Sequence, residues 1–266
     1  MNKFINPKIS STSGFVLLPV TIIILCSVGN LFAPATLQFP KPQYIFQDII
    51  KAISDEYVLG VLSNTFISLS KALLCSLFFG VALGLLLGLN ENIWNYSQPT
   101  IDFFRSIPIT FLIPAVALII GVTSSNIIWI LSTYPCILII IFNVRVGISK
   151  QEPERVHSFY IISGSSNMFR RFYKVTLYEI LPDIFSGFRI ALSYCIVIIT
   201  VLEYMRLGNK IGIGGLINDE MQNLNYTRVY ALTIIIGLLG FLLNKMVEVI
   251  QKKYIHWSNN ESQNNE

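Results

Sequence analysis

Charged residues are scarce in this chain. Lysine, arginine, aspartate and glutamate together make up 13% of its 266 residues, about half the share usual in a soluble domain. That excludes an ordinary water-exposed surface wrapped around one core. Histidine is scarcer still, with only His157 and His256. No HExxH, no GxSxG and no pair of aspartates inside an apolar run occurs, so the common hydrolytic arrangements are absent. The glycine–lysine spacing of a phosphate-cradling loop is also missing, which excludes binding and splitting ATP by that route. Cys26, Cys75, Cys136 and Cys195 fall in four separate apolar runs. Without a CxxC or Cys/His cluster they indicate neither zinc nor a disulfide framework, and read as small apolar residues. The expectation is no enzyme, no metal and no cofactor.

What the chain has is hydrophobicity, at 53% of residues. The apolar residues come in runs near the roughly 20 residues a spanning helix needs. Six spans are predicted, at about 14–33, 66–89, 107–122, 126–143, 184–203 and 229–249. Pro108 and Pro114 interrupt the third and Gly121 closes it early. A broken helix at membrane depth is tolerated where it is buried in protein or lines a cavity, which places this one beside a pathway. The first run follows Lys3 and Lys8 but lacks a small-x-small cleavage site, so it reads as a retained span. The loop 34–57 carries Pro34, Pro40 and Pro42, then a helical stretch from Tyr44. The tail 258–266 is polar, of low complexity, and reads as disordered.

Orientation follows from the placement of lysine and arginine. With the N-terminus inside, inner segments hold Lys3, Lys8, Arg105, Arg145, Lys150, Arg155, Arg170, Arg171, Lys174, Lys245, Lys252 and Lys253. Outer segments hold Lys41, Lys51, Arg206, Lys210 and Arg228. Both termini and the segment 148–187 are therefore expected in the cytoplasm. The net charge of +4 follows from this asymmetry and is no sign of a nucleic-acid partner.

The segment 148–187 is polar, yet too patterned for a tether. Val156, Phe159 and Tyr160 fall at i, i+3, i+4; after Gly164 and Ser165 the pattern restarts with Met168, Phe169, Phe172 and Val175. Arg170, Arg171 and Lys174 interleave with the second set. Two short amphipathic helices joined at a glycine are predicted, held in water to touch a partner.

Three features inside the spans have two readings each. Gly80, Gly84 and Gly88 form a stripe that lets another helix approach closely, within the chain or across a subunit interface. Lys71 either snorkels to the outer interface or contacts an ion or solute. Glu203 has no cation one helical turn away, and either caps an outer gate or pairs with another helix.

The segment resembles the EAA loop of permease subunits in bacterial ABC importers. Gly164 matches the family's loop glycine, and Leu181-Pro182, Gly187, Arg189, Ala191 and Leu192 match the entry into the fifth span. Pro182 suits the first turn of a helix, and Asp183 beside it favours the helix dipole. Arg105-Ser-Ile-Pro108, Ile113-Pro114 and Gly121 look like the segment forming the third span. Gly212-Ile-Gly214 with Leu216-Ile217 resembles the glycine-rich element after the fifth. Gly237-Leu-Leu-Gly240, Leu243 and Lys253 through Trp257 are similar to the sulfonate, taurine and nitrate branch. The chain departs from the pattern where Ser158, Phe159 and Tyr160 replace Glu-Ala-Ala and where Tyr178 replaces a proline; Glu152 and Glu154 carry charge nearby at other helical positions.

The resemblance implies an all-α polytopic protein of the type I ABC importer permease fold, with residues 58–257 as the transmembrane domain after a span and outer loop in 1–57. It implies a bacterial inner-membrane location and a pathway formed by two permease copies or a similar second subunit. A cytoplasmic ABC ATPase subunit would grip the hairpin at Ser158, Phe159, Tyr160 and Gly164, and an external binding protein would deliver a small solute. Arg170 and Arg171 would meet ATPase acids or anionic headgroups. A scaffold that has kept the fold but lost transport is the rival that the altered EAA element allows. An ion-coupled carrier would want intramembrane acids, which the spans almost lack.

Overall fold

A computed structural model describes Val20, Thr21, Ile24, Ser27, Val28 and residues 40–151 and 175–255. The described residues are helical, with no strand among them. Eight helices follow in order: α1 Pro42–Ser54, α2 Glu56–Gly88, α3 Glu91–Ser106, α4 Ile109–Ile120, α5 Ile127–Ser149, α6 Leu177–Tyr204, α7 Ile213–Gln222 and α8 Tyr226–Tyr254. Four of them, α2, α5, α6 and α8, are long and apolar enough to cross a membrane, and α3 with α4 makes a fifth if that bent pair is one span. They correspond to the runs at 66–89, 126–143, 184–203 and 229–249. The first predicted span lies almost wholly outside the described residues, as do the tail 258–266 and the residues expected to meet the ATPase, Ser158, Phe159, Tyr160, Gly164, Arg170 and Arg171.

Two boundaries differ from the sequence expectation. Helix α2 begins ten residues before the predicted run, because Asp55 caps it by accepting from the Tyr57 N–H at 3.0 Å and its polar first turns find partners across the bundle. Helix α6 begins at Leu177, so Pro182 stands inside the helix rather than in its first turn. Asp183 accordingly does not serve the helix dipole; it accepts from Lys150 Nζ at 2.7 Å.

The predicted third span is also different. Pro108 caps α4, which has 12 residues and is about 18 Å long, well short of a ~30 Å hydrocarbon core. It meets α3 at 90°. Gly121 closes it as expected, at φ +93 with its N–H on the Ala117 carbonyl, a conformation glycine adopts without a Cβ penalty. No α4 side chain is fully buried within the chain.

Helix α5 is the keystone, packed between α2 and α6. In lipid the hydrophobic effect does not drive helices together, so close packing must. Added Cβ atoms at Gly80 and Gly84 would lie 2.7 Å from the Cβ atoms of Ile140 and Val144, and one at Gly88 would lie 2.9 Å from Ile148 Cδ1. The glycine stripe therefore faces α5 within the same chain. On the other side of α5, a Cβ at Gly187 would lie 2.6 Å from Asn143 Cβ, and one at Gly147 would lie 3.1 Å from both Ile180 and Asp183 Cβ. Gly84→Ala should lower the melting midpoint of the purified protein, since a stiff Val144 cannot yield; overpacking of this kind costs about 1–3 kcal/mol. Gly60→Ala, with nothing within 4 Å of the new methyl, should leave the midpoint unchanged or raise it. Equal losses in the two variants would contradict this packing.

Candidate functional site

Helix α5 ends at Ser149 and α6 begins at Leu177, and the described residues on either side of 152–174 are tied together. Gln151 Nε2 donates to the Thr176 carbonyl at 3.3 Å, and Lys150 pairs with Asp183 at 2.7 Å. Thr176 and Ile180 are buried. Leu181 and Pro182 are half-buried on the first turns of α6, and Gly187 is buried against Asn143. Proline at position 182 has no N–H to give the Tyr178 carbonyl, so α6 is weakened near its start. The feet of the segment are thus fixed to two helices that pack as one body.

The bent pair α3–α4 is anchored beside the same end. Asn90 caps α3 by accepting from the Asn92 N–H at 2.9 Å. Arg145 Nη1 donates to the Gly88 carbonyl at 2.7 Å while its guanidinium lies 5.5 Å from the Trp94 ring centre. Arg105 lies 4.6 Å from the Phe142 ring centre, and Tyr134 Oη donates to the Phe104 carbonyl at the bend. Helix α4 leaves this anchor with Phe111, Leu118 and Ile119 74%, 89% and 85% exposed.

At the opposite end, Glu203 is the one buried charged residue among those described, at 3% exposure. Its Oε2 accepts from Thr65 Oγ1 at 3.0 Å and from the Gly214 N–H at 3.1 Å. Thr65 Oγ1 accepts in turn from the Ile213 N–H at 2.9 Å. A carboxylate and a hydroxyl thereby satisfy the first free N–H groups of α7, where the helix dipole favours negative charge. Of the two readings of Glu203, pairing with another helix is the arrangement found, with Thr65 of α2 and the start of α7 as its partners. No cation is involved, so a search of its own helix for a charge partner misses it; the glycines at 212 and 214 were the available signal. A Cβ at either would collide with α6, at Gly212 with the Glu203 carboxylate and at Gly214 with the Thr200 carbonyl.

The chain leaves α6 with Arg206 at φ +62, its side chain paired with Asp219 of α7. Asn64 Nδ2 donates to the Ile211 carbonyl at 3.0 Å, adding a tie from α2. Arg228 of α8 joins Asp55 at 2.9 Å and Glu220 at 3.1 Å. The hydrogen bond from Arg228 holds the Asp55 carboxyl below its usual range. A depressed folded-state value means the contribution is present above the unfolded carboxyl range near 3.9 and is lost as pH falls through the folded value. The gap in melting midpoint between the native chain and Arg228→Gln should therefore be widest at neutral pH and narrow below about pH 4. A constant gap would contradict the pairing. Lys71, midway along α2, is exposed in the single chain.

Residues 80–256 match the family model for the binding-protein-dependent transport system inner membrane component. The chain is 26% identical over 248 residues to the putative aliphatic sulfonates transport permease protein SsuC of Bacillus subtilis (strain 168), covering 91% of this chain and 87% of that protein. It is 22% identical over 276 residues to the taurine transport system permease protein TauC of Escherichia coli (strain K12), covering 97% and 98%. Among solved structures, the inward-facing MetNI methionine ABC transporter superposes with a TM-score of 0.60 at 18% identity, over 75% of this chain and 98% of the matched chain.

Proposed function

We propose a function from one premise: the chain belongs to the family of binding-protein-dependent transport system inner membrane components, and its fold is that of the type I ABC importer permeases. It is a permease component of an importer for small solutes. Two such chains, or this one and a similar subunit, form the pathway, with 58–257 as the transmembrane domain. Both termini and the segment 148–187 face the cytoplasm, in keeping with the lysine and arginine count. An external binding protein delivers the solute, a small molecule of the sulfonate, taurine or nitrate kind. Hydrolysis of ATP takes place in a separate ATPase subunit.

The observation that carries the reading is the match across 80–256, which brackets the polar segment between α5 and α6. Ser158, Phe159, Tyr160 and Gly164 form the surface that the ATPase grips, and Arg170 and Arg171 flank it. When the ATPase pair closes, it pulls this segment. Because Lys150–Asp183 and Gln151–Thr176 tie its feet, α5 and α6 move together, and α2 follows through the glycine stripe. The cap at Glu203 passes the tilt on to α7 at the far end, while α4, with no buried side chain of its own, lines the pathway. A mild-detergent purification of the tagged chain from its host should bring an ABC ATPase with it. A folded chain that retains no ATPase would sink the reading.

A further inference from the structure

Toward the C-terminal end of α8, α6 and α8 lie together with an excess of positive charge among the described residues. Glu248 of α8 accepts from Lys252 Nζ at 2.7 Å and from Lys245 Nζ at 3.2 Å. Arg189 Nη2 of α6 approaches the same carboxylate at 3.8 Å. The Glu248 side chain is 19% exposed, whereas those of Arg189 and Lys252 are 38% and 65% exposed. Lys253 follows, its ammonium 5.9 Å from the Tyr254 ring centre. Arg189 and Lys252 thus share one carboxylate, and Lys253 adds a further positive charge on the same last turn of α8. One turn further into the bundle, Asn244 Nδ2 donates to Ser193 Oγ at 3.0 Å. That bond fixes α8 against α6 and holds the cations in a common position. Alongside them α8 presents Leu242, Met246 and Val249 at i, i+4 and i+7, 61%, 62% and 56% exposed. Lys253 continues this stripe.

We propose that this face binds one anionic phospholipid, its phosphate among Arg189, Lys252 and Lys253 and its acyl chains along Leu242, Met246 and Val249. A cationic head beside an apolar stripe matches an amphipath with a negative head. A soluble anion would leave the stripe bare. A second copy docked here about a two-fold axis would set the same cations against each other. Basic pockets between spanning helices bind such headgroups, and each nearby lysine or arginine strengthens the attraction about fivefold. The site depends on neither the solute nor the ATPase, so it stands or falls apart from the importer reading.

The test is native mass spectrometry of the full chain after equilibration with equimolar phosphatidylglycerol and phosphatidylcholine of identical acyl chains. Phosphatidylglycerol should be retained on the order of tenfold over phosphatidylcholine. Lys252→Gln with Lys253→Gln alters only exposed side chains of the last turn and should bring the two lipids to parity. Arg189→Gln should weaken the preference about fivefold, and Lys51→Gln with Lys210→Gln, at the other end, should leave it intact. Glycerol phosphate at millimolar concentration should not displace the lipid. Equal retention of the two lipids by the native chain, or displacement by glycerol phosphate, would overturn the proposal. So would an undiminished preference in both the lysine and the arginine variants.

Discussion

Replacing Gly214 with valine should remove the folded protein. The new Cβ would meet the Thr200 carbonyl oxygen and lie 2.9 Å from the Thr200 carbonyl carbon and the Tyr204 nitrogen. These are backbone atoms inside α6, so relief requires α7 to lift away or α6 to break. Lifting α7 strips Glu203 of the Gly214 N–H and leaves a buried carboxylate short of a donor, about 1–3 kcal/mol beyond the overpacking itself. The total approaches the net stability of many domains. Glu203→Ala should act in the same direction by orphaning the Gly214 N–H and removing the nearer acceptor of the Thr65 hydroxyl. Glu203→Gln keeps one acceptor oxygen and should lose less. Size-exclusion profiles and melting midpoints in detergent read all three. A Gly214→Val protein as monodisperse and heat-stable as the native chain would refute the close approach of α7 to α6.

The second large effect concerns coupling, not folding. Gly164→Glu should leave the packing of α5 on α2 and α6 untouched, because that packing rests on Gly80, Gly84, Gly147 and Gly187 and their partners within the helices. Its midpoint should therefore match the native one. Its affinity for the ATPase subunit should fall by a factor of roughly 30 or more, the size of a hot-spot loss of about 2 kcal/mol. Phe159→Glu should do the same, because an anchor becomes a buried charge. Lys150→Gln should weaken far less, since exposed ion pairs contribute little. A binding assay between the purified chain and its ATPase measures each. A Gly164→Glu chain that binds as the native one does would move the docking surface elsewhere.

Much of the architecture was legible because long apolar runs have few alternatives in a membrane. Four runs became α2, α5, α6 and α8, and the stretch after Pro42 became α1, which packs Ile45 against Ala231 and Ile234. Their ends were less legible. Ser63, Asn64 and Thr65 lower the hydropathy at the start of α2, but their polarity is used: Asn64 reaches the Ile211 carbonyl and Thr65 reaches Glu203. Pro182 reads as the start of a helix because proline is welcome there, yet α6 carries it inside, with the Lys150–Asp183 pair holding the adjacent turn. The 90° bend between α3 and α4 falls at Pro108, whereas Pro114, expected to interrupt the run, lies inside α4 without breaking it; a run of apolar residues says nothing of direction. The Glu203 cap was hidden for a different reason. One donor is a main-chain N–H, which every sequence has and none displays, and the other is a hydroxyl on a helix far away in sequence.

Photo-crosslinking in native membranes, with the reactive residue placed at Phe159 or at Lys51, bears most directly on the central claim. If the chain is an importer permease driven by a separate ATPase, the Phe159 position should capture that ATPase and the Lys51 position should not. An ATPase captured equally from both positions, or from neither in a chain that is folded and inserted, would contradict it.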